Sequence, residues 1–179
     1  MKDFRKKIGH IALILAAACI LAATVPGHPG SGIVVDRLGQ VYFLDTGSGL
    51  WKIDTQGGVT HLSPLRNHWL AIDENDGFTQ ARLPTDTGRD WVITAAGSKP
   101  TLLISTDFPL VIGRDGNLYY PSVRERNVRI LQKAPQGVPA TFVTLPPSVA
   151  GTSLGWINGL AAGTDGSLYY TEGNAVRRI

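Results

Sequence analysis

From residue 32 onward the apolar positions come in short runs broken by Gly, Asp, Asn and Pro, and no stretch keeps the period of an amphipathic helix. Three segments repeat one pattern without a gap: Gly32 to Asp45, Pro109 to Ser122 and Gly159 to Glu172. Each holds a short apolar run, a turn containing Gly, and a second run built around Tyr: Val41-Tyr42-Phe43-Leu44, Leu118-Tyr119-Tyr120 and Leu168-Tyr169-Tyr170. A glycine turn between two such runs predicts a β-hairpin, because Gly accepts the positive φ that the turn demands. A weaker copy, Trp69 to Phe78, carries one extra residue before Asp76-Gly77 and is expected to make the same hairpin.

Further strands follow each hairpin. In the first unit these are Leu50 to Asp54 and Val59 to Leu62; in the third they are Asn127 to Leu131 and Ala140 to Leu145. The second unit places Pro84 to Arg89, a surface loop, before a strand from Asp90 to Thr94. The fourth ends on Ala175 to Ile179 as a third strand. Turn glycines Gly39, Gly77, Gly116 and Gly166 recur at roughly 40 residues with a longer last step, which is the mark of a repeat architecture. Four antiparallel strands per unit make a propeller blade. The expected fold is all-β, an incomplete β-propeller of three four-stranded antiparallel blades plus three strands of a fourth, preceded by an N-terminal signal helix. Its units run over about 31–65, 66–106, 107–147 and 156–179, together forming a domain at 31–179. Propellers usually close with 4–8 blades, so the chain is expected either to be a fragment of a longer protein or to close by self-association.

The first 25 residues have a different character. Lys2, Arg5, Lys6 and Lys7 precede an apolar run from Ile11 to Ala23, and small residues follow, which is the plan of a secretory signal peptide. Cleavage is expected near Ala22 or Ala23. An uncleaved anchor over Ile8 to Val25 is the alternative, and it is the one expected contact with a membrane. Ala17-Ala18-Cys19 has the outline of a lipid-attachment site, but Ala16 stands where Leu is usual and the apolar run continues through Ile20 and Leu21. Either way the protein is expected to be exported, to the periplasm or beyond the cell. Cys19 is the single cysteine, so the body has no disulfide and no thiolate metal site.

Charge narrows the function classes. The net charge of +3 arises from 17 Lys and Arg against 14 Asp and Glu, and the basic cluster before residue 8 accounts for the whole excess. A neutral body lacks the basic footprint of a nucleic-acid binder, so no nucleic-acid partner is expected. Gly151-Thr152-Ser153-Leu154-Gly155 has the letters of a nucleophile elbow without the helix that must follow it. Gly47-Ser48-Gly49 reads as a turn, not a phosphate loop, and Asp73-Glu74-Asn75-Asp76-Gly77 lacks the spacing of a calcium hand. Arg124, Arg126, Arg129 and Lys133 form a basic stripe that reads as a solvated outer face.

The succession Gly-Ile-Val-Val-Asp, Val-Tyr-Phe-Leu-Asp and Leu-Trp-Lys-Ile-Asp in the first unit resembles an NHL repeat. The body as a whole is similar to the six-bladed propellers that include NHL proteins and the regucalcin/gluconolactonase family. In such propellers the first strand of each blade lines a central channel. The resemblance therefore implies that residues just before those strands, Ser31, His68, Phe108 and Asn158, gather at one mouth. The second strands return to that face and add Asp45, Ser122 and Glu172. Each has an alternative role: Asp45 and Glu172 in holding backbone N–H groups of the next turn, His68 in hydrogen bonding at the channel wall, Ser31 in the linker after the leader.

Asn158-Gly159-Leu160 matches a segment in which the lactonase family uses Asn to ligate a divalent cation. The family's Glu on an early blade has no counterpart, because Ser31-Gly32 stands there, and its Asp on a later blade would lie past Ile179. The primary expectation is accordingly a non-catalytic binding or scaffold module with an unknown protein or small-molecule ligand. The alternative is a lactonase-type hydrolase that uses a divalent cation such as Ca²⁺ held by Asn158.

Overall fold

The computed structural model describes residues 32–80, 82–84, 92–96, 99–106, 108–124, 127–145, 157–172 and 174–179. The leader, Ser31, the Pro84 to Arg89 loop after its first residue, and the Gly151 to Gly155 motif lie outside them.

Three hairpins form where the Gly pattern places them, between β1 (Ile33–Val35) and β2 (Val41–Asp45), β9 (Val111–Ile112) and β10 (Leu118–Arg124), and β13 (Ile157–Ala162) and β14 (Leu168–Glu172). Gly39, Gly116 and Gly166 adopt φ of 81°, 77° and 87° at the last turn position, a left-handed conformation that strains any side-chain-bearing residue. Around them, β1 and β2 join β3 (Gly49–Ile53) and β4 (Val59–Ser63) in the order β1-β2-β3-β4. In the third blade β9 and β10 continue into β11 (Asn127–Lys133) and β12 (Ala140–Thr144), and in the fourth β13 and β14 pair on to β15 (Ala175–Arg178). The described residues thus form three four-stranded sheets and one three-stranded sheet, all antiparallel, with no helix.

The second blade corrects the sequence-based expectation. Its inner strand β5 (Trp69–Asp73) does not make a hairpin with the residues after Gly77. It pairs with β8 (Thr101–Ser105), and the sheet order is β5-β8-β7-β6, with β7 (Val92–Ala96) and β6 (Arg82–Pro84) toward the outer edge. Two physical causes are visible. The extra residue puts the left-handed conformation on Asp76, φ 54°, and the Asp76 carboxylate accepts the backbone N–H and the hydroxyl of Thr101, both at 2.8 Å, which fixes the start of β8 beside β5. The run after Phe78 is polar, whereas Thr101 to Ser105 is buried at every position. A strand flanked by sheets on both sides needs apolar residues on both of its faces, and only β8 supplies them.

Adjacent sheets pack face to face. Leu70, Leu102 and Ile104 of the second blade meet Tyr42, Leu44 and Leu50 of the first. Leu110, Leu118, Tyr120 and Leu131 of the third meet Ala71, Phe78 and Leu103 of the second. Ile157, Leu168 and Tyr170 of the fourth meet Tyr119 and Ile130 of the third. One polar contact reinforces the middle interface: the buried Lys133 ammonium donates to the carbonyls of Ala134, Pro135 and Gly137 and lies 5.6 Å from the centre of the Phe78 ring.

If β8 is the strand flanked by sheets on both sides, Leu103→Ala should lower unfolding stability by about 3 kcal/mol, the cost of emptying a sealed core position. Val59→Ala on exposed β4 should cost well under about 1 kcal/mol. Urea denaturation checks both, and equal small losses would place β8 at the periphery.

Candidate functional site

The inner strands β1, β5, β9 and β13 stand side by side and enclose a cleft of about 420 Å³. Its walls include Ile33, Trp69, Leu110, Val111 and Leu160, and the hydrogen-bonding side chains among the lining residues are the Asn158 carboxamide and the Trp69 indole. Asn158 lies within β13, exposed, and its carboxamide makes no hydrogen bond among the described residues. Gly159 beside it is closely approached by Thr171, whose hydroxyl is buried without a partner. A cleft with apolar side chains, the Asn158 carboxamide and nearly as much polar as apolar surface suits a ligand with an apolar body and more than one hydrogen-bonding group.

The other predicted site residues fall out differently. Ser31 lies outside the described residues. Phe108 is 5% exposed and packs in the interface between the second and third blades, its ring 6.3 Å from that of Tyr120, so it serves the core and not an open mouth. His68 is part-buried, and its Nδ1 donates to the Thr106 carbonyl at 2.8 Å, which joins the start of β5 to the end of β8. Asp45 is exposed and accepts the Gly47 N–H at 2.8 Å and the Ser48 hydroxyl, which itself accepts Trp51 Nε1 at 2.8 Å. The Ser48 hydroxyl and the Gly47 N–H hold the Asp45 carboxyl below its ordinary pKa. Glu172 pairs with Arg177 on β15, Oε2 to Nε at 2.7 Å. Ser122 is buried, with Arg129 Nη2 at 3.5 Å. Asn158 alone among those of these residues that are described lines the cleft.

The rearranged second blade also adds a residue that sequence reasoning missed. The position equivalent to Asp45, Ser122 and Glu172 is Thr106, directly after β8, and its hydroxyl is buried without a hydrogen-bond partner. The Thr101 to Ser105 apolar run is the signal that could have found it.

A hard divalent cation takes six or more oxygen ligands, carboxylates prominent among them. Around Asn158 the described cleft offers apolar side chains, and among the described residues no three His, Cys, Asp or Glu side chains stand together as a metal-holding group. The described residues do not fit a cation.

The opposite end of the inner strands is built from carboxylates. Asp36 accepts the N–H groups of Leu38 and Gln40 at 2.9 and 2.8 Å, the Gln40 side chain at 2.8 Å and the Tyr42 hydroxyl at 3.2 Å. In the third blade the acid sits two residues later: Asp115 accepts the Asn117 N–H at 3.1 Å, the Tyr119 hydroxyl at 2.7 Å and the Asn117 and Gln132 side chains. Gly113 occupies the position of Asp36 there, and a Cβ on it would come within 2.7 Å of the Tyr119 ring. Burial pushes both carboxyls up, but the bonds to Gln40, Leu38 and Tyr42 outweigh it for Asp36, and those to Tyr119, Asn117 and Gln132 do so for Asp115, so both end below the ordinary value. Burial, with the neighbouring carboxylate, pushes Tyr42 and Tyr119 up to about 12.

No family model and no curated protein matches the sequence. Among solved structures, the virginiamycin B lyase of Staphylococcus aureus is similar at a TM-score of 0.48 and 16% identity, over 82% of this chain and 50% of that one. A quinoprotein alcohol dehydrogenase-like protein of Bacteroides thetaiotaomicron is similar at 0.43 and 15%, over 83% of this chain and 40% of that one. The chain spans half or less of the length of these two structures.

The Asp–Tyr turns give a pH profile with a worked sign. A lowered carboxyl pKa gives stability that is present above the unfolded value near 4 and is lost as pH falls through the folded value. A raised tyrosine pKa gives stability that is full below about 10 and is lost as pH rises from about 10 to 12. Urea midpoints measured against pH should fall at both ends, and Tyr119→Phe should flatten the alkaline fall; an unchanged alkaline limb in both Tyr119→Phe and Tyr42→Phe would contradict this.

Proposed function

We propose that the chain is an exported β-propeller module that binds a small amphiphilic ligand in its inner-strand cleft and carries out no chemistry on it. The observation that carries this reading is the composition of the cleft: apolar side chains from four blades, with the Asn158 carboxamide, the Trp69 indole and exposed polar surface among them. Such a lining supplies burial for an apolar body and hydrogen-bonding groups for a polar one, but its described side chains include no acid, base or nucleophile. Export is supported by the basic residues and apolar run of the first 25 residues. The hydrolase alternative rests on Asn158-Gly159-Leu160, and among the described residues around Asn158 there are none of the carboxylates that a cation needs.

Anilinonaphthalene sulfonate is a suitable probe, since it pairs an apolar body with a polar group. It should bind with energy transfer from Trp69, which lines the cleft; Trp69→Phe should reduce that transfer to the share left by the other three tryptophans, and Asn158→Ala should weaken binding about five- to tenfold, the worth of one neutral hydrogen bond. Binding that ignores both substitutions would overturn the cleft as the site. Calorimetry with Ca²⁺, Zn²⁺ and Mn²⁺ separates the two readings: no heat of binding is expected, and a stoichiometric site lost in Asn158→Ala would favour the hydrolase.

A further inference from the structure

Another cavity, of about 380 Å³, lies between the second and third blades at the turn end of the sheets. Phe78, Thr79 and Gln80 from the run after Asp76 form one wall, and Lys133, Pro135 and Gln136 at the end of β11 form the other. It shares no lining residue with the cleft around Asn158, and its surface is more polar than apolar. Lys133 is the one charged side chain among its lining residues, and it is 8% exposed. Among the described residues no carboxylate pairs with this ammonium. The two acids that flank the run before the cavity are engaged elsewhere: Asp73 accepts the N–H groups of Asn75 and Phe78, and Asp76 accepts the N–H and hydroxyl of Thr101.

The Lys133 ammonium donates to the carbonyls of Ala134, Pro135 and Gly137 at 3.0, 3.2 and 2.7 Å. These acceptors satisfy its hydrogens but carry no net charge, and a buried ammonium without an anion is costly. The Phe78 ring, 5.6 Å away, offsets only part of that cost. Burial accordingly holds the Lys133 pKa below the ordinary lysine value. Thr79, Gln80 and Gln136, all exposed, bring a hydroxyl and two carboxamides to the same cavity, and Leu83 adds an apolar surface.

We propose that this cavity binds the carboxylate of a small organic acid, which takes a hydrogen of Lys133 Nζ in place of the Pro135 carbonyl. The bond to Pro135 is the longest of the three and Pro135 lines the cavity, so its exchange leaves the bonds to Ala134 and Gly137 in place. The Thr79 hydroxyl and the carboxamides of Gln80 and Gln136 supply further donors. One ammonium matches one carboxylate, whereas a phosphate dianion would bring a second negative charge that nothing on the walls balances. In a partly desolvated cavity that attraction is much stronger than in water. The volume is at the small end of the roughly 300–1,000 Å³ of ligand sites, which suits an acid with a compact apolar body against Phe78 and Leu83. This inference stands on the Lys133 cavity alone and does not depend on what the cleft around Asn158 binds.

Benzoate and benzamide are matched probes, alike in shape and different in charge. In an amide NMR titration of the full chain, benzoate should shift the signals of Phe78 to Gln80 and of Gln136 and Gly137 until they saturate, and benzamide should bind about tenfold or more weakly. Lys133→Met keeps most of the side chain and removes its charge, and should weaken benzoate about tenfold or more. Gln136→Glu, at an exposed position, sets a carboxylate in the cavity while Lys133 stays, and should weaken benzoate by a similar factor. Benzoate that leaves both segments unshifted overturns the proposal, as does benzamide of equal affinity. So does benzoate that keeps its native affinity in Lys133→Met or, where that variant does not fold, in Gln136→Glu. Shifts confined to Trp69 and Asn158 would place benzoate in the inner-strand cleft, which overturns the Lys133 site and leaves the reading of that cleft standing.

Discussion

The packing of a sheet that is apolar on both faces is the constraint from which the rest follows. A strand such as β8, buried at all five positions, cannot sit at the surface or against a single neighbour. It requires a sheet on each side, those sheets require the same in turn, and the chain becomes a stack of blades turned about their inner strands. The second blade shows how strong this requirement is. Its chain passes to the outer edge of the sheet and returns so that Thr101 to Ser105, and not the nearer polar run after Phe78, lies between the neighbouring sheets. Hydrogen-bonded hairpin order yields to burial.

The two ends of the inner strands then take different tasks. At the turn end, carboxylates collect backbone N–H groups and tyrosine hydroxyls, with Asp36 and Asp115 reaching the equivalent Tyr42 and Tyr119 from positions two residues apart. The replacement of Asp36 by Gly113 in the third blade is a matter of space, since the ring that Gly113 admits is the ring that Asp115 then binds. At the other end the equivalent residues are dissimilar: Asp45 caps a turn, Thr106 keeps a buried unpartnered hydroxyl, Ser122 is buried and Glu172 forms an ion pair. Fixed turns hold the strands, and the cleft between the strands holds the Asn158 carboxamide.

How much was legible in the sequence depends on whether the determining contact was local. Three hairpins were readable because their glycines adopt the φ that the turn needs, and the sheet order of the first and third blades followed from adjacency along the chain. The β5–β8 pairing was not readable by repeat alignment, since Asp76 contacts Thr101 twenty-five residues away. That misalignment also hid Thr106. Among the site residues, Asn158 was expected just before an inner strand and lies within β13, and the Asp45 cap follows the habit of Asp in turns. Phe108 was not legible, because a residue just before an inner strand faces the mouth or the core according to the local path of the loop. Burial of Phe108 beside Tyr120 is a tertiary fact.

Residue-resolved amide hydrogen exchange addresses the central claim most directly. If burial between two sheets organises the fold, Leu102, Leu103 and Ile104 must exchange as slowly as the central residues of β2 and β10 and open with them, while β4 and β12 exchange faster. Rapid exchange at Leu102 to Ile104, with slow exchange shifted to the residues after Phe78, would show that the second blade follows hairpin order and would contradict the account.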